Sequence, residues 1–242
     1  MSEIAEVKIN GQTYELQIIT GSEDEKGIDI TKLRSISGAV TLDSGYKNTG
    51  STKSAVTYLD GENGILRYRG YSIEELAGKA SFIEVSYLLI NGELPNKSQL
   101  ADFEANITKH TLIHEDMKRF YEAYPSKAHP MGIVASLLCS LSTFYPDSQN
   151  PNRTEEEIEL TIYRLLAKLP TISAWAYKNF VGHPVVYPKN NLNYGENFLN
   201  MMFSLPAEDY KIDPVVADAI NKLLILHADH EQNCSASTVR IV

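Results

Sequence analysis

Two histidines near the end of the chain are the residues best suited to chemistry. His227 and His230 follow an apolar repeat with three- and four-residue steps, formed by Val216, Ile220 and Leu223. This spacing predicts that both histidines lie on the core side of a helix that starts at Asp213-Pro214 and runs toward position 230. Polar groups crowd around them, namely Asp229, Glu231, Gln232, Asn233, Ser235, Ser237 and Thr238.

The sequence leaves three interpretations of this histidine pair: a structural role, a metal site or a substrate site. Both side chains could be core residues that donate to backbone carbonyls or to Asp229, since buried polar groups are usually satisfied within the protein. A metal site is disfavoured, because the spacing matches neither His-Glu-x-x-His nor His-x-x-Glu-His and a third ligand has no clear signature. The pair could also hold an anionic substrate that carries a carbonyl group, which a histidine can polarise.

The elements that position this segment are predicted to be mainly α-helical. Residues 1–70 read as short strands and turns, with an Asn-Gly hairpin signal at Asn10 and a second ribbon around residues 60–64. Residues 71–242 have helical spacing throughout. A helix capped by Thr154 is predicted to end before Pro170, and a second helix follows from 171 to 180.

Composition places the 242-residue chain among soluble globular proteins, with 43% hydrophobic residues and a formal charge of −9. The charge argues against nucleic acid or an anionic membrane as a partner. The two cysteines, Cys139 and Cys234, form no disulfide or zinc pattern. No secretory signal or membrane-spanning run is recognised, so a cytoplasmic location is expected.

Five segments closely resemble the citrate synthases. The most specific is LLILHADHEQNCSASTVR at 223–240, which is similar to the first histidine motif of that family. The others are GILRYRGY at 64–71, RLLAKLPT at 164–171, FVGHPVVYP at 180–188 and NFLNMMF at 197–203. The chain therefore resembles the N-terminal portion of a bacterial citrate synthase: a multi-helical large domain, 71–242, with a small β-rich N-terminal subdomain, 1–70.

The resemblance implies an enzyme that condenses oxaloacetate with acetyl-CoA and water to give citrate and CoA, without a metal or a cofactor. His230 matches the family histidine that binds oxaloacetate. Asn233 lies in the same substrate-facing turn, and His227 has a supporting role. The chemistry is general acid and base catalysis inside a closed site.

Three motifs of the family are absent from these 242 residues. They are Gly-Pro-x-His-Gly of the histidine that stabilises the enol, Gly-x-Gly-His of the second catalytic histidine, and Asn-Val-Asp of the base. We expect them, and the arginines that bind the substrate carboxylates, beyond Val242. No catalytic residue is therefore assigned in this chain, and alone it is expected to be inactive, because each positioned acid or base contributes roughly 10²- to 10⁴-fold.

A second group of residues matches positions at which hexameric bacterial citrate synthases bind NADH as an allosteric inhibitor. The group consists of Lys109, His110, Thr111, Tyr145, Arg164 and Lys168. The match departs from the family pattern at two positions. Lys109 stands where the pattern favours arginine, and a lysine cannot bind a phosphate in the bidentate way that an arginine does. Ala207 stands where some members carry cysteine. Without the resemblance, these residues would be interpreted as a solvated surface.

Other functions stay open from the sequence. The enzyme could be a 2-methylcitrate synthase that uses propionyl-CoA, or the chain could be a non-catalytic helical module that acts as a partner subunit. A metal-binding protein is a third alternative. The apolar helices predicted at 131–145 and 154–180 resemble those that pair subunits in the family, so the full-length protein is expected to be a homo-oligomer, either a dimer or a hexamer.

Overall fold

The computed structural model describes residues 3–45 and 47–241. The chain divides into two compact units, one of Met1–Ser54 with Cys234–Val242 and the other of Ala55–Asn233. Helices dominate the described residues, which confirms the mainly α prediction. The domain division at residue 70 stays a prediction. The expectation attached to Val242 concerns a residue outside the described part.

The smaller unit carries a three-stranded antiparallel sheet of order β1-β2-β3, formed by β1 (Ile4–Ile9), β2 (Gln12–Thr20) and β3 (Lys26–Ile28). Asn10 and Gly11 form the β1–β2 turn at φ 51° and 88°. Both residues tolerate this left-handed backbone, so the predicted Asn-Gly hairpin is confirmed. Helices α1 (Leu33–Ser37) and α10 (Cys234–Ile241) complete the unit.

The larger unit begins with a second antiparallel sheet of order β4-β5-β6. Its strands are β4 (Thr57–Asp60), β5 (Ile65–Tyr68) and β6 (Tyr71–Ser72), which confirms the second predicted ribbon. Thr57 lies directly opposite Tyr68 in the β4–β5 register. Residues that oppose each other across two strands have their side chains on the same face of the sheet. This pair is close to the candidate site described below.

Seven further helices and two short 3₁₀ turns are described in the larger unit before its last helix. They are α2 (Ile73–Lys79), α3 (Phe82–Asn91), α4 (Lys97–Lys109), the turn Glu115–Met117, α5 (Lys118–Ala123), α6 (Pro130–Phe144), the turn Pro146–Gln149, α7 (Glu155–Val181) and α8 (Tyr194–Phe203). The last helix is α9 (Pro214–Leu226). Capping boxes begin α3, α4, α7 and α8, so these starts are encoded locally by a polar residue and a Glu or Gln three positions later.

Helix α7 runs without a break through Pro170, so the predicted end at this residue is wrong. A proline inside a helix leaves the carbonyl four residues earlier without its N–H donor. That carbonyl belongs to Leu166, and the Tyr194 hydroxyl donates to it at 2.9 Å. A side chain from α8 therefore supplies the missing hydrogen bond, and α7 can continue.

The core of the larger unit consists of three clusters. One surrounds Trp175 between α6 and α7, and another lies around Phe103 between α3, α4 and α7. The third joins Tyr68 of β5 to Ile225 of α9, with apolar residues of α2 and α3. Because of this third cluster, the β4–β5 hairpin and the end of α9 belong to one packed body.

Candidate functional site

The segment that carries the two histidines is a loop and not the end of a helix. Helix α9 ends at Leu226, and His227 caps it with φ −110° and ψ 10°. The expected core-facing stripe is wrong as well, since Val216 is 39% exposed and Leu223 50%. Of the residues of α9, only Ile225 is buried. Neither histidine lies on the core side of α9, because the helix ends at Leu226, before both of them.

Each predicted residue of the loop lies at the surface of this chain. His227 is exposed, and its Nδ1 lies 2.7 Å from the Leu223 carbonyl oxygen. His230 and Asn233 are also exposed. A hydrogen bond to a backbone carbonyl was one of the alternatives for His227. The structure shows this contact, but the His227 ring is exposed and not in the core. The side chains of His230 and Asn233 are thus not part of the buried core.

The loop is fixed to the β4–β5 hairpin through Asp229. The Tyr68 hydroxyl lies 2.8 Å from the Asp229 carbonyl oxygen and 3.1 Å from that of Ile225, and the Asp229 N–H donates to it at 3.3 Å. The Thr57 hydroxyl donates to Asp229 Oδ2, which also accepts the Glu231 N–H at 3.1 Å. His230 lies between Asp229 and Glu231, so hydrogen bonds hold both of its neighbours in the chain.

Burial acts on the tyrosine that makes these contacts. Tyr68 is fully buried, and its desolvation raises the pKa of the phenol, an effect only partly offset by the backbone N–H groups that hydrogen-bond to it. The phenol therefore keeps its proton at neutral pH, and it can act as a donor to the loop.

The second predicted group is gathered around α7. Lys168 is buried, and its Nζ donates to the carbonyl oxygens of His110, at 2.8 Å, and of Leu112. Thr171, one turn further along α7, donates to the carbonyl oxygen of Thr111 at 2.8 Å. Three consecutive carbonyls thus bind side chains of one helix, which fixes the segment after α4 against α7.

An aromatic ring lies above the same cations. The Arg164 guanidinium carbon is 4.4 Å from the centroid of the Tyr145 ring, and Lys168 Nζ is 5.4 Å from it. Both distances are within the range of a cation–π interaction. Lys109 is exposed at the end of α4, with Nζ 3.5 Å from Asn106 Oδ1. The six residues therefore form one group, which we call the basic cluster: Lys109, His110, Thr111, Tyr145, Arg164 and Lys168.

In the basic cluster, positively charged side chains lie close together and repel one another. Burial, and then the charge of Arg164, lower the pKa of Lys168 to about 8. Burial, and then the charges of Lys168, Arg164 and Lys109, lower the pKa of His110. Within the described ranges, no carboxylate is within 4.0 Å of these lysine or arginine nitrogens. An anion would relieve this repulsion.

A cavity of about 760 Å³ opens beside the basic cluster. Thr111 is at its edge, where its hydroxyl lies 3.3 Å from Asn190 Oδ1. The wall is formed by parts of α3, α4, α7, α8 and α9, and it includes Pro170 and Thr171. A volume of this size is typical of pockets for small organic ligands.

No metal centre is found in the part of the chain that the structure describes, where no three His, Cys, Asp or Glu residues are arranged to hold an ion. The thiol of Cys139 is free and exposed. The Cys234 side chain is outside what is described. Among the helices of residues 3–45 and 47–241, none is long and apolar enough to cross a bilayer.

Sequence reasoning missed three residues that hold these sites. Thr57 and Tyr68 belong to the second predicted ribbon, and Tyr68 and Thr171 to segments that resemble the family, but none of the three was assigned a role. The β4–β5 register places Thr57 and Tyr68 on one face. No signal in the sequence joined them to Asp229, which is 172 and 161 residues away.

Comparisons with known proteins agree on one family. The family model described as "Citrate synthase, C-terminal domain" matches residues 45–242. Citrate synthase 1 of Mycobacterium tuberculosis is 50% identical over 240 residues, which are 99% of this chain and 56% of that protein. Citrate synthase of Corynebacterium glutamicum is 51% identical over 96% of this chain and 53% of its own length.

A solved structure shows the same similarity. The crystal structure of citrate synthase from Pyrobaculum aerophilum has a TM-score of 0.65 and 31% identity, over 96% of this chain and 53% of that one. The chain spans about half the length of the curated relatives it matches.

Proposed function

Because this chain belongs to the citrate synthase family, we propose that it supplies the oxaloacetate-binding part of an enzyme that condenses oxaloacetate with acetyl-CoA to citrate and CoA. The observation that carries the proposal is the 50% identity with a citrate synthase over 99% of the chain. The surface position of His230 supports it, because a ligand can reach this ring.

Within this activity, His230 donates a hydrogen bond to the carbonyl or a carboxylate oxygen of oxaloacetate. A donor placed where negative charge develops on a carbonyl oxygen lowers the barrier to attack. Asn233 contributes an amide to the same side of the loop. His227, whose Nδ1 lies 2.7 Å from the Leu223 carbonyl oxygen, has a supporting role at the start of the loop.

Gly-Pro-x-His-Gly, Gly-x-Gly-His and Asn-Val-Asp do not occur in these 242 residues. The proposal therefore assigns no proton-moving group to this chain, and we expect the 242-residue chain by itself not to condense the two substrates.

Replacement of His230 by alanine in the complete gene product tests this function. We expect kcat/KM for oxaloacetate to fall about 10²-fold, which is typical for the loss of one donor to a developing oxyanion. Release of the CoA thiol in the presence of acetyl-CoA and oxaloacetate measures the rate. His183→Ala, a change at another exposed histidine, is the matched control and should leave the rate within about twofold.

Two further arms of the same assay separate the alternatives. Propionyl-CoA in place of acetyl-CoA should react more slowly, and a faster reaction would identify a 2-methylcitrate synthase. A preparation shown by mass spectrometry to end at Val242 should release no thiol. A measurable rate from that preparation would contradict the assignment of the proton-moving groups to other sequence.

We also propose that the basic cluster is a regulatory site for NADH. Its support is the combination of an uncompensated positive charge, the Tyr145 ring and the adjoining cavity, since a dinucleotide needs cations for its phosphates and space for its bases. Arg164 and Lys109 are accessible enough to contact phosphate oxygens. Lys168, which is buried, acts by holding the carbonyls of His110 and Leu112.

Arg164→Gln in the complete gene product tests the regulatory site. The loss of one charge-assisted hydrogen bond should raise the Kd for NADH about 10- to 100-fold. Titration of the change in NADH fluorescence measures the Kd. Arg119→Gln, which changes an arginine whose side chain is 82% exposed on α5, is the control and should bind normally. If NADH neither inhibits the protein nor shifts its Tm, this regulatory role is wrong.

Assembly and location complete the proposal. Exposed apolar residues lie along α7 at Ile158, Leu165 and Leu169, and on α6 at Met131. The three residues of α7 are seven and four positions apart and so share one face of the helix, and an exposed apolar stripe of this kind supports a homo-oligomer formed through these helices. A free thiol at Cys139 is compatible with the reducing cytoplasm.

A further inference from the structure

Asp229, the residue before His230, is held both by its carboxylate and by its backbone. Its carboxylate accepts the Glu231 N–H at 3.1 Å, which closes an Asx-turn with His230 as the central residue. Its backbone carbonyl and N–H both meet the Tyr68 hydroxyl, at 2.8 and 3.3 Å. The direction in which the chain passes through His230 thus depends on how firmly Asp229 is held.

The turn over His230 also stores backbone strain. Glu231 has φ 69°, a left-handed conformation that is unfavourable for a residue with a side chain. Such a conformation persists only where its surroundings hold it. Here the Asp229 carboxylate holds the Glu231 N–H, and the Thr57 hydroxyl donates to that same carboxylate oxygen.

Thr57 and Tyr68 reach Asp229 from a rigid base. They form a cross-strand pair of the β4–β5 hairpin, so their side chains lie on the same face. Tyr68 is fully buried in the cluster that also contains Ile225, the only buried residue of α9. The hairpin therefore fixes the end of the helix and the start of the loop together.

We propose that Thr57 and Tyr68 are positioning residues for oxaloacetate: they hold Asp229 by its carboxylate and by its backbone, and so fix His230 in the orientation that meets the substrate. This inference rests on the proposed binding of oxaloacetate at His230. Neither side chain contacts the substrate, and their effect passes through the Asx-turn.

The test uses Tyr68→Phe and Thr57→Val in the complete gene product, since each change removes a hydroxyl and leaves the shape of the side chain nearly unchanged. Each variant should raise the KM for oxaloacetate about tenfold, the size expected for one hydrogen bond. The KM for acetyl-CoA and kcat should stay within about threefold. Thr57→Ser keeps the hydroxyl and should restore a normal KM.

Tyr71→Phe is the matched control, because it removes a hydroxyl from a 39% exposed tyrosine on the neighbouring strand β6. It should leave every kinetic constant unchanged. A purely structural role would lower the fraction of folded enzyme, and hence kcat, without a change in the KM for oxaloacetate. That pattern, or an unchanged KM in both variants, would overturn the inference.

Hydrogen–deuterium exchange decides the inference independently of activity. The amides of residues 228–233 should exchange about tenfold faster in Tyr68→Phe and Thr57→Val than in the unaltered protein or in Tyr71→Phe. Equal exchange would overturn the positioning role. An unaltered protein that condenses no oxaloacetate would instead contradict the proposed function, while the exchange result would still report on the loop.

Discussion

Replacement of Trp175 by alanine is expected to lower the free energy of unfolding by about 3 to 5 kcal/mol. The indole is fully buried at the centre of the cluster between α6 and α7. Its Nε1–H donates to the Val186 carbonyl at 2.9 Å, and its ring meets the edge of Tyr187 with centroids 5.3 Å apart. Alanine would leave a large cavity and an unsatisfied carbonyl, both of which destabilise the folded state.

Urea denaturation followed by far-ultraviolet circular dichroism measures this loss, because the variant lacks the only tryptophan of these 242 residues as a fluorescent probe. Leu94→Ala, in the segment between α3 and α4, is the control. Leu94 is 37% exposed, so its truncation should cost less than about 1 kcal/mol. Equal losses in the two variants would mean that the Trp175 cluster is not the main support of α7.

The parts of the fold that sequence predicted are those encoded by neighbouring residues. Asn10 and Gly11 form a turn because both adopt a positive φ without help from the rest of the chain. Helix α7 begins directly after its N-cap Thr154, because Thr154 and Glu157 satisfy each other's backbone N–H groups. Signals of this kind need no knowledge of tertiary contacts.

The errors arose where a distant residue changes a local rule. Pro170 does not end α7, because Tyr194 supplies the hydrogen bond that the proline removes. Helix α9 presents Val216 and Leu223 outward in this chain, although their spacing is typical of a core-facing stripe. Periodicity shows that a face is apolar, but it does not show what covers that face.

The candidate sites divide in the same way. Polar crowding marked His227 and His230 directly from the sequence, and the loop that carries them is exposed as a ligand site requires. The basic cluster was recognised only by resemblance, because its members come from α7 and from the ends of α4 and α6, and in the sequence they look like ordinary surface charge. Their meeting around Tyr145 and Lys168 is a tertiary fact.

Lys168→Met is expected to change how stability depends on pH. Burial and the charge of Arg164 lower the pKa of Lys168 from 10.5 to about 8 in the folded protein. Between these values the unfolded chain holds a proton that the folded protein has released, so the stability contributed by this group rises with pH. From pH 8 to 10 the rise should be about 2 kcal/mol, since one pKa unit corresponds to about 1.4 kcal/mol.

Lys168 can keep its hydrogen bonds in both its charged and its neutral form, which explains why the site tolerates a lowered pKa. A neutral amine still has two N–H groups, and the carbonyls of His110 and Leu112 can accept both. Deprotonation therefore removes the repulsion from Arg164 without breaking the contacts that hold the segment after α4. Methionine makes neither contact and does not titrate, so its variant should lack the rise.

Urea denaturation of both proteins at half-unit steps from pH 8 to 10 measures the difference. Tyrosines that ionise in this range affect both proteins equally, so the comparison isolates Lys168. Lys79→Met is the control, because the Lys79 side chain is 78% exposed and its replacement should shift stability by the same small amount at every pH. A constant difference between Lys168→Met and the unaltered protein would show that the buried amine keeps its charge, and that the basic cluster is already compensated before any anion binds.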